Sequence, residues 1–230
     1  MERIFERSLT IMVAILLPLV LLLTSIEMIA FDENFYAHMH EELNISETVG
    51  TDSEDLAEIS SGIIAYLRNR TDSLDMEAVI GGESVEVFGQ REKLHMVDVK
   101  KLFMAGFYLR NVFLAFVVLG LFILYAIDGR KMKKPSKAIF ASGFTVLLAA
   151  IAFAIMLSSD FEKHFISFHN IFFTNELWIL NPKTDVLIQM LPLEFFIETV
   201  KRTIYAFIIQ YALLLCFAFA AMRRLKRIMK

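Results

Sequence analysis

Apolar residues run almost unbroken through four stretches of the chain, at about residues 8–30, 107–127, 138–157 and 203–222. Each has the roughly 20 residues that a helix needs to cross a hydrocarbon core. Between the first two the pattern changes. Phe35, Tyr36, Met39 and Leu43 have helical spacing. From Asp52 or Ser53 to about Arg70, the positions Leu56, Ile59, Ile63 and Leu67 recur every three or four residues and predict an amphipathic helix. Gly81-Gly82 breaks the chain, and the alternating Val85-Glu86-Val87-Phe88 before Gly89 predicts a short strand. Between the last two spans, Asn181-Pro182-Lys183-Thr184-Asp185 reads as a turn carrying a helix N-cap. A short helix over 186–190 should follow, with Pro192 ending or kinking it. The expected architecture is therefore mainly α and polytopic: a single membrane domain over 1–230 with four transmembrane helices and a small cap drawn from 31–106 and 158–202. A cap of about 70 residues is thin for a core of its own, so it should lean on the membrane helices.

Composition agrees: 57% of residues are hydrophobic and the mean hydropathy is +0.56, too apolar for an ordinary soluble domain. Charge sets the orientation. Arg3 and Arg7 flank the first span, Arg130, Lys131, Lys133, Lys134 and Lys137 crowd the loop between the second and third, and Arg223, Arg224, Lys226, Arg227 and Lys230 follow the fourth. By the excess of positive charge on cytoplasmic segments, both termini and that loop are cytoplasmic. The cap is then extracytoplasmic, and its first segment holds 16 acidic against 6 basic residues from Asp32 to Lys101. The first span lacks a small-x-small cleavage site and reads as a retained anchor rather than a signal peptide. The sole cysteine, Cys216, lies in an apolar run, which excludes a disulfide framework or a Cys/His zinc cluster.

The candidate chemistry lies in two histidines, both on the outer side. His95 sits in His95-Met96-Val97-Asp98-Val99, just before the second span, and His169 in Phe168-His169-Asn170-Ile171-Phe172-Phe173, just after the third. One reading makes His95 an interfacial histidine; the other makes it a general base, since imidazole titrates near neutral pH. Asp98, three residues on, either orients that ring or pairs with Lys101. Phe165, Phe168, Phe172, Phe173 and Trp178 surround His169, as an interfacial aromatic belt or as a water-poor pocket that strengthens imidazole chemistry. Arg110 and Asn111 stand at the outer end of the second span, where Arg110 either snorkels to the interface or holds a substrate carbonyl. Gln210, mid-span, is expected to bond to a neighbouring helix. His38 and His40, two apart on a helix, point in different directions and make a poor metal site. Hydrolase, metalloprotease and phosphate-loop motifs are absent, as is any basic aromatic surface for nucleic acid.

The stretch His95-Met96-Val97-Asp98-Val99-Lys100, and the longer one Phe168-His169-Asn170-Ile171-Phe172-Phe173…Trp178-Ile179-Leu180-Asn181-Pro182-Lys183-Thr184-Asp185-Val186-Leu187-Ile188…Leu191-Pro192…Phe195-Phe196, resemble the lipoprotein intramolecular transacylase family, Lit. The resemblance extends to span count and topology. It implies a multi-pass enzyme of the Gram-positive cell membrane with its active site on the extracytoplasmic face. The substrate it implies is a diacylated lipoprotein whose N-terminal cysteine has a free α-amine. The sn-2 acyl chain moves to that amine, giving an N-acylated lyso-form lipoprotein. It further implies that His95 and His169 are catalytic. Our own candidates for binding or orienting substrate are Asp98, Arg110, Asn170, Phe172, Trp178 and Asp185. No metal, cofactor or nucleic acid is expected, and membrane lipid is the only other partner; the oligomeric state is left open.

That chemistry suits the residue types. The attacking amine, with an unperturbed pKa of roughly 8, must lose a proton, and a neutral imidazole can take it. The oxyanion needs donors and the departing alkoxide needs a proton. The sequence leaves the division of labour open; we take His95 as base and His169 as oxyanion partner or acid. Attack on the sn-2 carbonyl closes a ring of N, Cα, Cβ, S, two glyceryl carbons, the ester oxygen and the carbonyl carbon, one atom smaller than attack at sn-1. Medium rings close poorly in solution, so holding the headgroup folded is the main contribution available. Two rival readings are an intermolecular acyltransferase drawing on a phospholipid donor and a non-catalytic membrane assembly partner whose acidic cap binds a protein. A transporter is disfavoured by the scarcity of ionisable groups within the spans.

Overall fold

The computed structural model describes residues 1–129 and 132–228. Arg130, Lys131 and Lys230, counted above among the cytoplasmic basic residues, lie outside the described residues. The elements in chain order are α1 (Glu2–Ala30), α2 (Glu33–Glu42), α3 (Ile45–Val49), α4 (Ser53–Leu67), β1 (Glu77–Ile80), β2 (Glu83–Glu86), α5 (Gln90–Ile127), α6 (Lys133–Ala141), α7 (Gly143–Ser158), α8 (Phe161–Phe172), α9 (Val186–Met190) and α10 (Leu193–Ile228). They gather into two compact units, one of residues 1–27, 107–158 and 202–230, the other of 28–106 and 159–201.

The first unit contains the spans. Val13, Leu17 and Val20 of α1, Val117 and Leu124 of α5, Ala138 and Ile139 of α6 and Ala218 of α10 form one buried cluster, and Val146, Phe207 and Tyr211 a second. Only 17–28% of the residues in each apolar stretch is buried within the protein, so lipid must cover the rest. Polar side chains inside this unit find partners. Gln210 Nε2 donates to Ser25 Oγ at 2.8 Å, the interhelical bond its mid-span position predicted. Tyr211 donates to the Ile139 carbonyl at 2.9 Å. The third span is not one helix: α6 stops at Ser142, whose Oγ turns back to the Ile139 carbonyl at 2.6 Å. Ahead of α6, the Asp128 carboxylate accepts the Lys133 and Lys134 amides at 2.6 and 3.2 Å, capping its first turn.

The second unit packs α2, α3, α4, α8, α9, a hairpin and the first turns of α5. Asp52 caps α4, accepting the Glu54 and Asp55 amides at 2.9 Å each, and its apolar stripe buries Leu56, Ile59, Ile63 and Leu67. α4 stops at Leu67, short of Arg70, because Asn69 turns left-handed with φ 57°. Strand 85–88 is a correction. Gly81 and Gly82, both at positive φ, form a two-residue turn, so the hairpin pairs Glu77–Ile80 with Glu83–Glu86. Val87 and Phe88 leave the strand and are buried, at 2% and 1% exposure. α9 occupies the expected 186–190, and Pro192 separates it from α10.

The helix that carries the second span starts far earlier than the apolar pattern does. At 38 residues α5 is about 57 Å long, nearly twice the roughly 30 Å of hydrocarbon. Only the part from Phe107 onward is apolar enough to span, and its N-terminal turns, with His95, belong to the second unit.

Close helix approach gives a direct test of the first unit. A Cβ at Gly120 of α5 would lie 2.8 Å from Met12 Cε and 3.0 Å from Val13 Cγ2 of α1, and Val13 is fully buried. Gly120→Val should destabilise the protein by about 1–3 kcal/mol in detergent unfolding, whereas Gly106→Ala, with open space around its Cβ, should not. Equal midpoints for the two variants would contradict this packing.

Candidate active site

Both histidines lie in the second unit, on α5 and α8, and the fold brings them face to face. Their ring centroids are 6.0 Å apart at an interplanar angle of 36°. Each is buried, at 7% exposure for His95 and 8% for His169. Phe173 closes one side, edge-on to His95 at 5.3 Å and 5.6 Å from His169. Trp178 stacks on His169 at 4.7 Å and 29°, with Phe165 at 4.3 Å and Phe168 edge-on at 5.5 Å. Phe196, at the start of α10, backs Phe165 at 5.0 Å.

The two imidazoles are held differently. His169 Nδ1 lies 2.8 Å from the Phe165 carbonyl, one turn earlier in α8. A carbonyl only accepts, so Nδ1 carries the proton and Nε2 is the basic nitrogen of the neutral ring. His95 Nδ1 is buried and meets no hydrogen-bond partner among the described residues. Burial pushes the pKa of His95 down from 6.5 to about 4, helped by repulsion from His169 and opposed by Asp98. Burial also lowers His169, while its bond to the Phe165 carbonyl pulls the other way. Both rings are therefore neutral at pH 7.

Three residues of α5 fasten the segment that carries Trp178. Asp98 accepts from Asn175 Nδ2 at 2.9 Å and from Lys101 Nζ at 3.0 Å, so of its two expected roles it takes the pairing with Lys101. Arg91 donates to the Glu176 carbonyl. Glu92 is 3% exposed and accepts two amides: Gly89 N–H at 2.6 Å and Leu187 N–H, at the start of α9, at 2.7 Å. Glu92 and Arg91 were not legible as site residues. The signal available was Gly89-x-x-Glu92, a carboxylate three residues into a helix reaching back to the capping residue.

The remaining candidates fall elsewhere. Arg110 belongs to the first unit, ion-paired with Glu27 and bonded to Asn111 Oδ1 at 3.1 Å. Asp185 is the N-cap residue of α9, but its carboxylate folds back onto the Asn181 amide and Thr184 hydroxyl, each at 2.8 Å. It shapes the turn after Trp178. Asn170 is exposed. Phe172, 52% exposed, stacks on Phe168 at 4.8 Å rather than on either imidazole. His38 points outward toward Glu42 at 3.5 Å and His40 is buried against Tyr36, two opposite directions as their spacing required. Among the described residues no three potential ligands gather as a metal site.

A buried pair of neutral imidazoles walled by aromatics is an arrangement that can take up and return protons away from water. The sequence signature described as Lipoprotein intramolecular transacylase Lit matches residues 11–196, which include both histidines, Glu92 and Trp178. The chain belongs to this family. The fold agrees with solved structures of the membrane-integral Lit of Bacillus cereus. One is 21% identical and covers 97% of this chain and 98% of its own, with a TM-score of 0.81. A second, carrying a histidine-to-arginine substitution, is 20% identical over 100% of this chain and 96% of its own, with a TM-score of 0.81. A third, with a histidine-to-alanine substitution, is 21% identical over 100% and 98%, with a TM-score of 0.77. No curated protein sequence matches significantly. As a member of Lit this is a multi-pass membrane enzyme, a lipoprotein intramolecular transacylase.

Neutral burial of His95 has a thermodynamic consequence. The unfolded chain protonates this ring near 6.5 and the folded chain only near 4, so acidification between those values favours the unfolded state. The full difference corresponds to roughly 3 kcal/mol. Thermal stability in detergent should fall from pH 6.5 to 4, and His95→Ala should flatten that slope; an unchanged slope in the variant would show that His95 is not held neutral.

Proposed function

We propose that His95 and His169 together move the sn-2 acyl chain of a diacylglyceryl lipoprotein onto the α-amine of its N-terminal cysteine, and that His169, not His95, is the base. The observation that carries the assignment is the 2.8 Å bond from His169 Nδ1 to the Phe165 carbonyl, which leaves Nε2 as a basic nitrogen. The same carbonyl, and the face of Trp178, favour the imidazolium that forms. His95, whose pKa lies near 4, is too weak a base and serves as a neutral N–H donor. This reverses the roles expected from sequence.

In the reaction the amine nitrogen attacks the ester carbonyl carbon, a C–N bond forms, and the carbonyl electron pair moves to oxygen. A His95 N–H stabilises that oxyanion. His169 Nε2 takes the proton from the attacking nitrogen. The oxyanion collapses, the bond to the glyceryl oxygen breaks, and His169 returns the proton to that oxygen. An ester becomes an amide and an alcohol, with no change in mass and no bond to the enzyme. The aromatic walls exclude water, which would otherwise compete for the ester, and hold the folded headgroup near its attack geometry.

The candidate orienting residues divide accordingly. Asp98 acts by holding Asn175, Trp178 by stacking on His169 and Asp185 by shaping the turn that follows; Phe172 and Phe168, exposed together, suit an acyl chain. Asn170, equally exposed, suits the polar headgroup. Arg110 serves the membrane unit through Glu27. The termini are cytoplasmic and the histidine pair extracytoplasmic, supported by the basic residues Arg3, Arg7, Lys133, Lys134 and Lys137 and by the acidic 32–101 segment. On that face processed lipoproteins present their amines.

Mass spectrometry of a reporter lipoprotein's N-terminal peptide, in a host making only diacyl forms, tests this. The wild type should give an N-acyl peptide of unchanged total mass, and His95→Ala and His169→Ala should each lower its formation by about 10²–10⁴-fold while the circular dichroism spectrum is retained. Wild-type rates in either variant would remove that histidine from the mechanism. A mass gain of one acyl chain would point to a phospholipid donor.

A further inference from the structure

We propose that Glu92 is a positioning residue of the transacylation site: its buried carboxylate clasps the first turns of α5 and α9 and so fixes His95 relative to the Trp178–His169 stack. The inference rests on the histidine pair being the reaction centre.

Glu92 stands one turn before His95 on α5 and shares its buried face. Each carboxylate oxygen takes one backbone amide, Oε2 from Gly89 and Oε1 from Leu187. Both donors lie at helix N-termini, where amides lack intrahelical partners and an anion is favoured. Two charge-assisted bonds at 2.6 and 2.7 Å in a buried setting fix the carboxylate in one orientation. Such a carboxylate at 3% exposure, with no cationic side chain among the described residues bonded to it, is costly unless those amides are in place.

The far end of the clasp determines what it does. α9 is held at Leu187 by Glu92, and its last residue, Met190, is fully buried. The chain running into α9 is the turn closed by Asn181 and Asp185, and before it comes Trp178. α5 thus grips the 175–187 segment at both ends, through Asp98 and Arg91 at Asn175 and Glu176 and through Glu92 at Leu187. Trp178 lies between those anchors and stacks on His169. Releasing the Glu92 end lets the indole, and with it the imidazole it supports, drift from His95.

Glu92→Gln is nearly isosteric. Its carbonyl accepts one amide but its NH₂ faces the other donor, so one bond is lost. We expect kcat to fall about tenfold or more with KM within about twofold, because substrate still binds while the imidazoles are misplaced. Trp178 is the chain's only tryptophan, so its emission reports the stack without reference to activity and should shift to the red. Glu92→Asp keeps the charge but lacks the reach for both amides and should not rescue. In the wild type, the Gly89 and Leu187 amides should exchange with deuterium slowly for helix N-termini, a measurement that needs no variant. Wild-type kcat in Glu92→Gln, loss of kcat with unshifted Trp178 emission, rescue by Glu92→Asp, or fast exchange at both amides would each overturn the proposal. If the wild type made no N-acyl product the histidine reading would fail instead, and emission and exchange would still decide whether the clasp holds the stack.

Discussion

Everything at the site depends on keeping two imidazoles neutral, close and dry. Burial achieves the first, because removing water penalises the charged form of each ring. Packing one helix turn from α5 against α8 achieves the second, with 6.0 Å between ring centroids. The aromatic wall of Phe165, Phe168, Phe173 and Trp178 achieves the third. Within that shared environment the rings differ in one bond. The Phe165 carbonyl fixes the proton of His169 on Nδ1, whereas His95 Nδ1 has no partner among the described residues, and the proposed division of roles rests on that asymmetry.

The long helix α5 carries both the second apolar span and residues of the candidate site. Its apolar half spans, and its N-terminal turns carry Arg91, Glu92, His95 and Asp98. A side chain on a continuous helix, rather than on a loop, has limited motion relative to the residues it meets. The same turns also fasten the 175–187 segment, so the helix that presents one imidazole anchors the tryptophan that supports the other. A rearrangement with one substrate and no cofactor step gains most from such fixed geometry, since proximity is what solution lacks for medium-ring closure.

How much was legible follows from what each signal depends on. The four spans are visible because lipid requires long apolar runs, and α9 because Asp185 and Pro192 bracket it. That α5 begins at Gln90 is not visible, because a helix crossing from cap to membrane changes its polarity without changing its conformation. The break at Ser142 is hidden inside an apolar run, where only Ser142-Gly143 hinted at it. The strand was misplaced because Val85-Glu86-Val87-Phe88 alternates convincingly, while the Gly81-Gly82 turn, the better hairpin signal, starts the strand two residues earlier. His95, His169 and Trp178 were singled out by their unusual setting and the family resemblance, and the fold gathers all three. Glu92 was not, because one more carboxylate in an acidic segment looks solvated until two distant amides are seen to close on it. Arg110 was read either as snorkelling to the interface or as holding a substrate carbonyl, and its ion pair with Glu27 of α1 was not legible in the sequence.

The central claim is that the acyl chain moves within a single lipoprotein held at the histidine pair. Mixing equal amounts of two purified reporter lipoproteins, one with deuterated acyl chains and a distinguishable peptide, and sequencing the products by mass spectrometry tests it most directly. The account predicts that every N-acyl chain carries the label of its own peptide, with no crossover at any substrate concentration. N-acyl chains distributed between the two peptides would contradict it and would require a donor other than the acceptor molecule itself.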